Sequence, residues 1–342
     1  MNYKEITEKI RKFIKPQYKS CSHAFDEDNP SPHHEEGSVW NHNEMVYDYY
    51  KNNFERNFID EFAVLLHDIG KLWTRVADEE KKRVTFRNHA QLGTFLAYNT
   101  LKTIGEIDPK TYHQEMIDIL SVINLHMESA IKGNEITKRK LFTPSEINIF
   151  NSSMLLNVCD NEGRISKNKE KRDVREESDF FTEVEPAPEN APEISILIGL
   201  PASGKSTYRK ETELPFVCRD DIVMEHAENS NYNGAWESVD QKEVDKIFRE
   251  ELLSLIKNKK SFIVDKTSLT RKGRRAMLNL SKGFRKKAIV FMASTAEIVW
   301  RNELRRKDGK EIPVEVILRM MKTFNVPMYA EGFHEIEWVF QK

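Results

Sequence analysis

The stretch Gly199-Leu-Pro-Ala202-Ser203-Gly204-Lys205-Ser206-Thr207 limits what this chain can fold into more than any other. Its spacing is G-x-x-x-x-G-K-S. An apolar run, Ile194 to Ile198, leads into it, and a polar stretch of helical composition follows. A phosphate-binding loop needs all three parts. Gly199 and Gly204 let the backbone curl so that N–H groups of Ala202, Ser203 and their neighbours point at phosphate oxygens. Lys205 then reaches the β- and γ-phosphates, Ser206 ligates Mg²⁺, and the helix that begins here with Thr207 adds its positive end. The motif therefore predicts an ATP·Mg²⁺ site on a strand–loop–helix unit.

Past this loop, short strand-like runs alternate with helical patterns. Phe216–Cys218, Ser261–Val264 and Ala288–Met292 read as strands. Helical periodicity marks the segment around Val244, Ile247 and Phe248, the basic segment 271–282, and the segments 296–306 and 314–324. Such alternation predicts a parallel sheet with crossover helices, the loop lying at its carboxyl edge. Three polar clusters fall where the nucleotide would be. Arg219-Asp220-Asp221 follows a strand, and a carboxylate there can take the proton of an attacking hydroxyl or serve only as a helix N-cap. Asp265 ends the next strand, where it either orients an acceptor or caps the strand end. Arg301 and Arg305 are four apart, on one helix face, and can clamp a triphosphate.

The first 166 residues differ in kind. Their periodicity is almost wholly helical, with apolar stripes at Met45 and Tyr49, Phe62–Leu66, Leu92–Leu96 and Met116–Ile123. Thr143-Pro-Ser-Glu146 reads as a capping box opening a helix with Ile147, Phe150, Met154 and Val158 inward. Eight of the chain's ten histidines precede residue 130. His42 is expected just ahead of the first of these helices. His67-Asp68 closes the second, His89 opens the third, His126 ends the fourth and Asp160 ends the fifth. Neutral imidazoles with carboxylates suit a divalent transition metal. Taken singly, each histidine is better explained by a core or surface role than by ligation, and His23 and His113 are read as surface residues.

Together, His42, His67-Asp68 and Asp160 resemble the metal-binding signature of the HD phosphohydrolase superfamily. The supporting contexts are Pro32-His33-His34, Trp40-Asn-His42, His67-Asp-Ile-Gly-Lys71, and His89 with Gly93 four residues on. The resemblance implies an all-helical fold that hydrolyses phosphate esters with one or two metals. His42, His67, Asp68 and Asp160 would hold one ion, with Asp68 catalytic, and His89 and His126 would build a second site. Lys71 would contact substrate phosphate or be a solvated lysine. Mn²⁺, Co²⁺, Ni²⁺ or Zn²⁺ suits this donor set better than Mg²⁺ alone.

The C-terminal half in turn resembles the kinase domain of phage-type polynucleotide kinases. The resemblance rests on the loop, on R-D-D at 219–221, on D-x-T-x-L from Asp265, and on Arg301-Asn-x-x-Arg305 before Ile312-Pro313. It implies ATP-dependent phosphorylation of a 5′-hydroxyl, with Asp220 as general base and Arg301 and Arg305 as lid arginines. One position departs from the family: Val223 stands where an acceptor-binding arginine is expected. Arg219 or the basic residues Arg271, Lys272, Arg274 and Arg275 would then grip the acceptor.

The fusion as a whole resembles bacterial two-headed RNA end-healing enzymes. Its substrate would be RNA, with DNA as the alternative, and an RNA ligase would use the healed ends. Two rival readings share the motifs: a nucleotidase joined to a nucleoside kinase, and a nucleotide-sensing regulatory module. The predicted organisation is a helical domain over 1–166, a charged and Pro-rich linker over 167–190 and an α/β P-loop domain over 191–342. Cys21, Cys159 and Cys218 show neither zinc spacing nor a disulfide framework, and no apolar run is long enough to span a membrane, so a cytoplasmic protein is expected. A net charge of −2 argues against a protein that coats nucleic acid non-specifically and leaves room for a local basic cleft.

Overall fold

The computed structural model describes residues 3–129, 140–166, 180–227 and 232–341. Two compact units emerge, Met1–Phe181 and Thr182–Lys342. Part of the expected linker, 167–179, lies outside the described residues. Beyond it, Phe180 is buried, and the Phe180 and Phe181 rings pack on Phe150 in the first unit.

The first unit is a helical assembly. Helix α1 (Tyr3–Lys19) buries Ile6, Ile10, Ile14 and Tyr18, one residue per turn of a single stripe. α2 (Val39–Asn53) starts at Ser38, whose hydroxyl accepts from the Asn41 N–H, and α3 (Phe58–Leu66) starts likewise at Asn57. After Asp60 and Glu61 in its first turn, α3 is a continuous apolar run that buries Phe62 through Leu66, which puts it at the centre. The short α4 (Lys71–Thr74) follows. A two-stranded antiparallel hairpin, β1 (Val76–Asp78) with β2 (Arg83–Thr85), is an addition to the expected all-helical pattern. α5 (His89–Thr103), α6 (His113–Ser129) and α7 (Ile147–Glu162) complete the unit.

The Thr143–Glu146 capping box forms, on a 3₁₀ turn that leads into α7. The buried stripe of α7 is nevertheless Ile149, Phe150, Ser153, Leu156 and Cys159. Ile147, Met154 and Val158, expected inward, are only half-buried. Ser153, the polar member of that stripe, is fully buried beside apolar neighbours.

The second unit is a five-stranded, all-parallel sheet in the order β4–β5–β3–β6–β7. The strands are β3 (Glu193–Ile198), β4 (Phe216–Cys218), β5 (Phe262–Asp265), β6 (Arg285–Met292) and β7 (Glu335–Phe340). Ile194, Ile196, Leu197 and Ile198 of the central β3 are fully buried, the near-continuous apolar run of a strand covered on both faces. Each such side chain contributes roughly 2 kcal/mol of burial. The connecting helices are α8 (Lys205–Lys210), α9 (Arg219–His226), α10 (Tyr232–Ser238), α11 (Gln241–Lys257), α12 (Arg271–Leu280), α13 (Thr295–Leu304) and α14 (Val314–Met321). The alternation expected from sequence is present, with β7 as an unanticipated edge strand.

Candidate functional sites

In the helical unit, two glycines set the distances between the polar side chains. A Cβ on Gly70 would lie 2.0 Å from the His89 carbonyl oxygen, so only glycine lets the turn after Asp68 meet the start of α5. A Cβ on Gly163 would lie 2.5 Å from the Val46 Cα, and its absence lets the end of α7 close on α2. His42 lies inside α2 rather than ahead of it, one turn from the start.

These approaches bring all six residues of the signature together. His42 Nε2 is 2.9 Å from Asp160 Oδ1 and 3.6 Å from Asp68 Oδ2. His67 Nε2 is 3.4 Å from Asp68 Oδ2, and His89 Nε2 is 3.4 Å from Asp68 Oδ1. His89 Nε2 and His126 Nε2 face each other at 3.0 Å. Asp68 thus sits between two groups, one with His42 and His67 and one with His89 and His126.

The outward nitrogens decide the tautomers. His67, His89 and His126 each direct Nδ1 at the carbonyl three residues back, that of Val64, Phe86 and Ile123, at 2.8, 2.8 and 2.7 Å. A carbonyl only accepts, so Nδ1 carries the hydrogen and Nε2 presents its lone pair inward. Two lone pairs 3.0 Å apart, beside a carboxylate, repel unless a cation lies between them. The donor set therefore fits divalent ions. His42 differs in having a carboxylate on Nδ1: Glu36 Oε1, 2.8 Å away.

The electrostatics run partly against an all-neutral ligand set. Burial alone would raise the carboxyls of Asp68 and Asp160, yet Lys71 and charge on His67 hold Asp68 well below the usual carboxylate range, and His42 does the same for Asp160. Against its burial, His42 is itself raised to about 9 by Asp160 and Glu36, so an ion there would displace a proton. Burial, with His89 and His67 beside it, lowers His126 to about 3, leaving it a neutral donor. Lys71 is buried, not solvated. Its Nζ lies 2.7 Å from Asp68 Oδ2 and 3.1 Å from His23 Nε2. His23, expected at the surface, is buried against His34 with ring centroids 4.1 Å apart, whereas His113 is exposed. Glu36 was missed from sequence, whereas His34 is marked there by the Pro32-His33-His34 context. Glu36 is one of two adjacent glutamates in a loop, and nothing local separates it from Glu35.

In the α/β unit, the loop after β3 curls as the motif requires. Gly204 has φ +103°, and a Cβ on Gly199 would stand 2.7 Å from Ser203 Oγ. Ala202 also takes positive φ, at 63°. Lys205 is buried and donates to the carbonyls of Gly199 (2.8 Å) and Leu200 (2.7 Å), while Ser206 and Thr207 are exposed at the start of α8. Burial brings Lys205 down to about 8, against the pull of Asp265 and Asp220. Asp265 ends the neighbouring β5, and burial raises its carboxyl although Lys205 and Arg209 oppose the shift. Its Oδ2 is 3.3 Å from Arg209 Nε and lacks a well-formed hydrogen bond, as does the buried Ser203 Oγ. These unsatisfied groups around Lys205 fit a magnesium–phosphate ligand.

The other predicted residues divide. Arg301 reaches the loop, donating to Ala202 O at 3.4 Å and Gln341 Oε1 at 3.2 Å, and pairs with Glu297. Arg305 lies 6.0 Å from the Tyr232 ring, and the Tyr232 hydroxyl donates to Asp220 Oδ2 at 3.0 Å. Arg219 is engaged elsewhere, by Asp245, Gln241 and the Trp236 ring. Arg274 is fully buried and spans Glu331 and the carbonyls of Ser268 and Leu269, so it cannot grip an acceptor. Val223 is buried as well. Arg209 and Tyr232 were not anticipated. Arg209 sits one helical turn after Lys205, a detectable spacing, whereas no motif marks Tyr232.

Family models match both units: an HD domain over residues 41–160 and an AAA domain over residues 194–327. The chain joins an HD domain to a P-loop domain. Similar solved structures include a chain of the Pnkp1/Rnl/Hen1 RNA repair complex, with 25% identity and a TM-score of 0.33. That match covers 40% of this chain and 46% of that one, so the chain spans under half the length of that relative. A gluconokinase from Sinorhizobium meliloti 1021 shares 15% identity, covering 44% of this chain and 82% of that one at a TM-score of 0.31. Kti12 from Chaetomium thermophilum shares 14%, covering 44% and 89% at 0.30. Likenesses with such TM-scores carry no functional argument. Among the described residues, no helix is long and apolar enough to cross a membrane.

Proposed function

We propose that the chain heals broken RNA ends, the P-loop domain phosphorylating 5′-hydroxyls with ATP and the HD domain removing 2′,3′-cyclic, 2′- or 3′-phosphates. The observation that carries this reading is the pairing in one chain of two different phosphate sites. One is the inward-facing imidazole and carboxylate set around Asp68; the other is a carboxylate, Asp220, near Lys205 of the phosphate-binding loop. Ribonucleolytic cleavage that leaves a 2′,3′-cyclic phosphate on one fragment leaves a 5′-hydroxyl on the other. These two chemistries answer those two ends, and an RNA ligase is the partner that would use the product.

In the HD domain, His42, His67, Asp68 and Asp160 would hold one divalent ion, and His89 and His126, sharing Asp68, a second. Mn²⁺, Co²⁺, Ni²⁺ or Zn²⁺ suits these donors. Such ions supply positive charge that polarises a phosphate ester and acidifies water. Lys71, held beside Asp68, binds the substrate phosphate. In the P-loop domain, Lys205 and the loop N–H groups bind the ATP phosphates and Ser206 binds Mg²⁺. Asp220, oriented by Tyr232, accepts the proton of the 5′-hydroxyl, and Arg301 and Arg305 neutralise charge developing on the transferred phosphoryl group. The reading takes residues 1–166 and 191–342 as the two domains and a reducing cytoplasm as the setting, in keeping with three buried free cysteines.

The test is a short RNA carrying a 5′-hydroxyl and a 2′,3′-cyclic phosphate, incubated with ATP, Mg²⁺ and Mn²⁺ or Ni²⁺. Wild type is expected to process both ends, Asp68→Ala only the 5′ end and Lys205→Ala only the 3′ end. Turnover of free nucleosides in preference to the oligonucleotide would sink the RNA reading.

A further inference from the structure

Three of the four inward-facing histidines are oriented by a backbone carbonyl three residues behind them in the same chain segment. His42 alone is oriented by a side chain, and that side chain is charged. Glu36 is buried, and its Oε1 lies 2.8 Å from His42 Nδ1 and 2.9 Å from His34 Nδ1. Its Oε2 accepts from the Ile165 N–H at 3.1 Å, and its carbonyl accepts from Asn41 Nδ2 at 2.8 Å. The adjacent Glu35 N–H donates to the Ile165 carbonyl at 2.9 Å. The Glu36 loop is therefore strapped to the chain five residues past Asp160, whose carboxylate lies 2.9 Å from His42 Nε2.

We infer that Glu36 is a positioning residue that makes the two ion positions of the HD domain unequal, strengthening the one built on His42. The inference rests on the two-ion reading above. A carboxylate on the far nitrogen of a ligating imidazole fixes the tautomer and raises the basicity of the near nitrogen. A carbonyl fixes the tautomer with less effect on basicity. At Nδ1, His67, His89 and His126 each meet a backbone carbonyl. The position with His42 thus gains a formal negative charge on the far nitrogen of its imidazole, where the far nitrogens of His89 and His126 meet a neutral group. Residue 36 also precedes the segment matched by the HD family model, so the device belongs to the N-terminal loop of this chain.

A rival use of the same residues is weaker. His23, His34 and Glu36 offer three donor atoms within 4.8 Å of one another, a conceivable third ion position. But both Glu36 oxygens are already committed, and the Lys71 ammonium stands against His23 Nε2. A further cation there would meet a positive charge instead of a lone pair.

The test uses the full chain, stripped with a chelator and titrated with Mn²⁺ alone by calorimetry. Wild type is expected to bind two ions in distinct steps. Glu36→Gln keeps the size and loses the charge. It is expected to weaken the tighter step roughly 10- to 100-fold and to leave the weaker step unchanged, so the gap narrows. Glu36→Asp keeps the charge and is expected to fall between, and it carries the test if circular dichroism shows Glu36→Gln unfolded. Equal weakening of both steps would show that Glu36 only holds the loop. Loss of one whole equivalent would make it a ligand, and a third equivalent in wild type would favour the rival site. Each of these overturns the inference. Fewer than two ions in wild type would instead refute the two-ion reading beneath it.

Discussion

In the HD domain the facing atoms come from α2, the turn after α3, α5, α6 and α7, between His42 and Asp160, and every one is a side-chain atom. In the P-loop domain the core of the site is a single turn of chain, Gly199 to Thr207, and much of it is backbone. The first kind of site depends on helices meeting at set distances, held by gaps such as those at Gly70 and Gly163. The second depends on local backbone conformation at one sheet edge. A side-chain site dispersed over many elements fails one residue at a time, and a contiguous loop fails as a unit.

The largest expected effects come from crossing the two. Asp68→Ala removes the carboxylate shared by both imidazole groups and is expected to abolish 3′-end hydrolysis while 5′ phosphorylation persists. Lys205→Ala is expected to lower phosphorylation at least about 10²- to 10³-fold, the cost of one positioned electrostatic group, and to spare hydrolysis. Chelation followed by Mg²⁺ should mimic Asp68→Ala, restoring phosphorylation only. End-labelled RNA resolved by length and charge reads both activities in one reaction. A substitution that removes both would break the comparison.

A smaller effect separates buried charge that serves a site from buried charge that serves a fold. Arg274 is fully buried and paired with Glu331 at 2.7 Å, distant in sequence from every loop residue. Truncating it leaves an unpaired buried carboxylate and is expected to destabilise the P-loop domain by about 3–5 kcal/mol. Asp68→Ala likewise strips the buried Lys71 ammonium of its carboxylate and is expected to destabilise the HD domain. Chemical denaturation with and without Mn²⁺ separates the two clusters: the ion is expected to stabilise the wild-type HD domain and not that of Asp68→Ala. A wild-type transition unmoved by Mn²⁺ would show that the Asp68 cluster is primarily structural.

How much of this was legible in sequence follows from the same contrast. The loop could be read directly because its residues are consecutive and its strand precedes it. The HD residues could be read only as a pattern of types, and their meeting at Asp68 needed the fold. Glu36 could not be distinguished from Glu35, since burial of one and not the other is decided by Ile165, far along the chain. Arg274 was misread for a related reason. A basic helix looks like an acceptor grip until Glu331 is seen to bury one of its arginines. The inward face of α7 was misassigned because its core-facing positions include the polar Ser153, while the apolar Ile147, Met154 and Val158 are left half-buried.

The cysteines offer a local readout. Cys21 and Cys159 are buried in the HD domain and Cys218 in the P-loop domain. Burial, helped by Asp265, pushes the Cys218 thiol up to about 12, so at pH 8 alkylation requires opening of the domain. ATP·Mg²⁺ at a hundredfold excess over its Kd stabilises the domain it binds by about 2.7 kcal/mol and should slow Cys218 labelling roughly 100-fold. Cys21 and Cys159 are expected to label unchanged, as peptide mass mapping would report. Protection of all three would mean that the two domains open together.

The smallest effect probes the one place where the P-loop site relies on a dispersed side chain. Tyr232 donates to Asp220 Oδ2, and its ring faces Arg305 at 6.0 Å and Lys310 Nζ at 5.9 Å, so one residue touches the proposed base and the arginine segment together. Tyr232→Phe removes only the hydrogen bond to the carboxylate, worth about 1.5 kcal/mol, and should lower kcat roughly tenfold with the KM for ATP unchanged. Tyr232→Leu also removes the aromatic face that the cations lie against, and should raise the KM for ATP as well. The two variants thus separate orientation of Asp220 from placement of Arg305. If Phe and Leu give the same kinetics, Tyr232 only fills space. If Asp220→Asn phosphorylates normally, Asp220 is not the base.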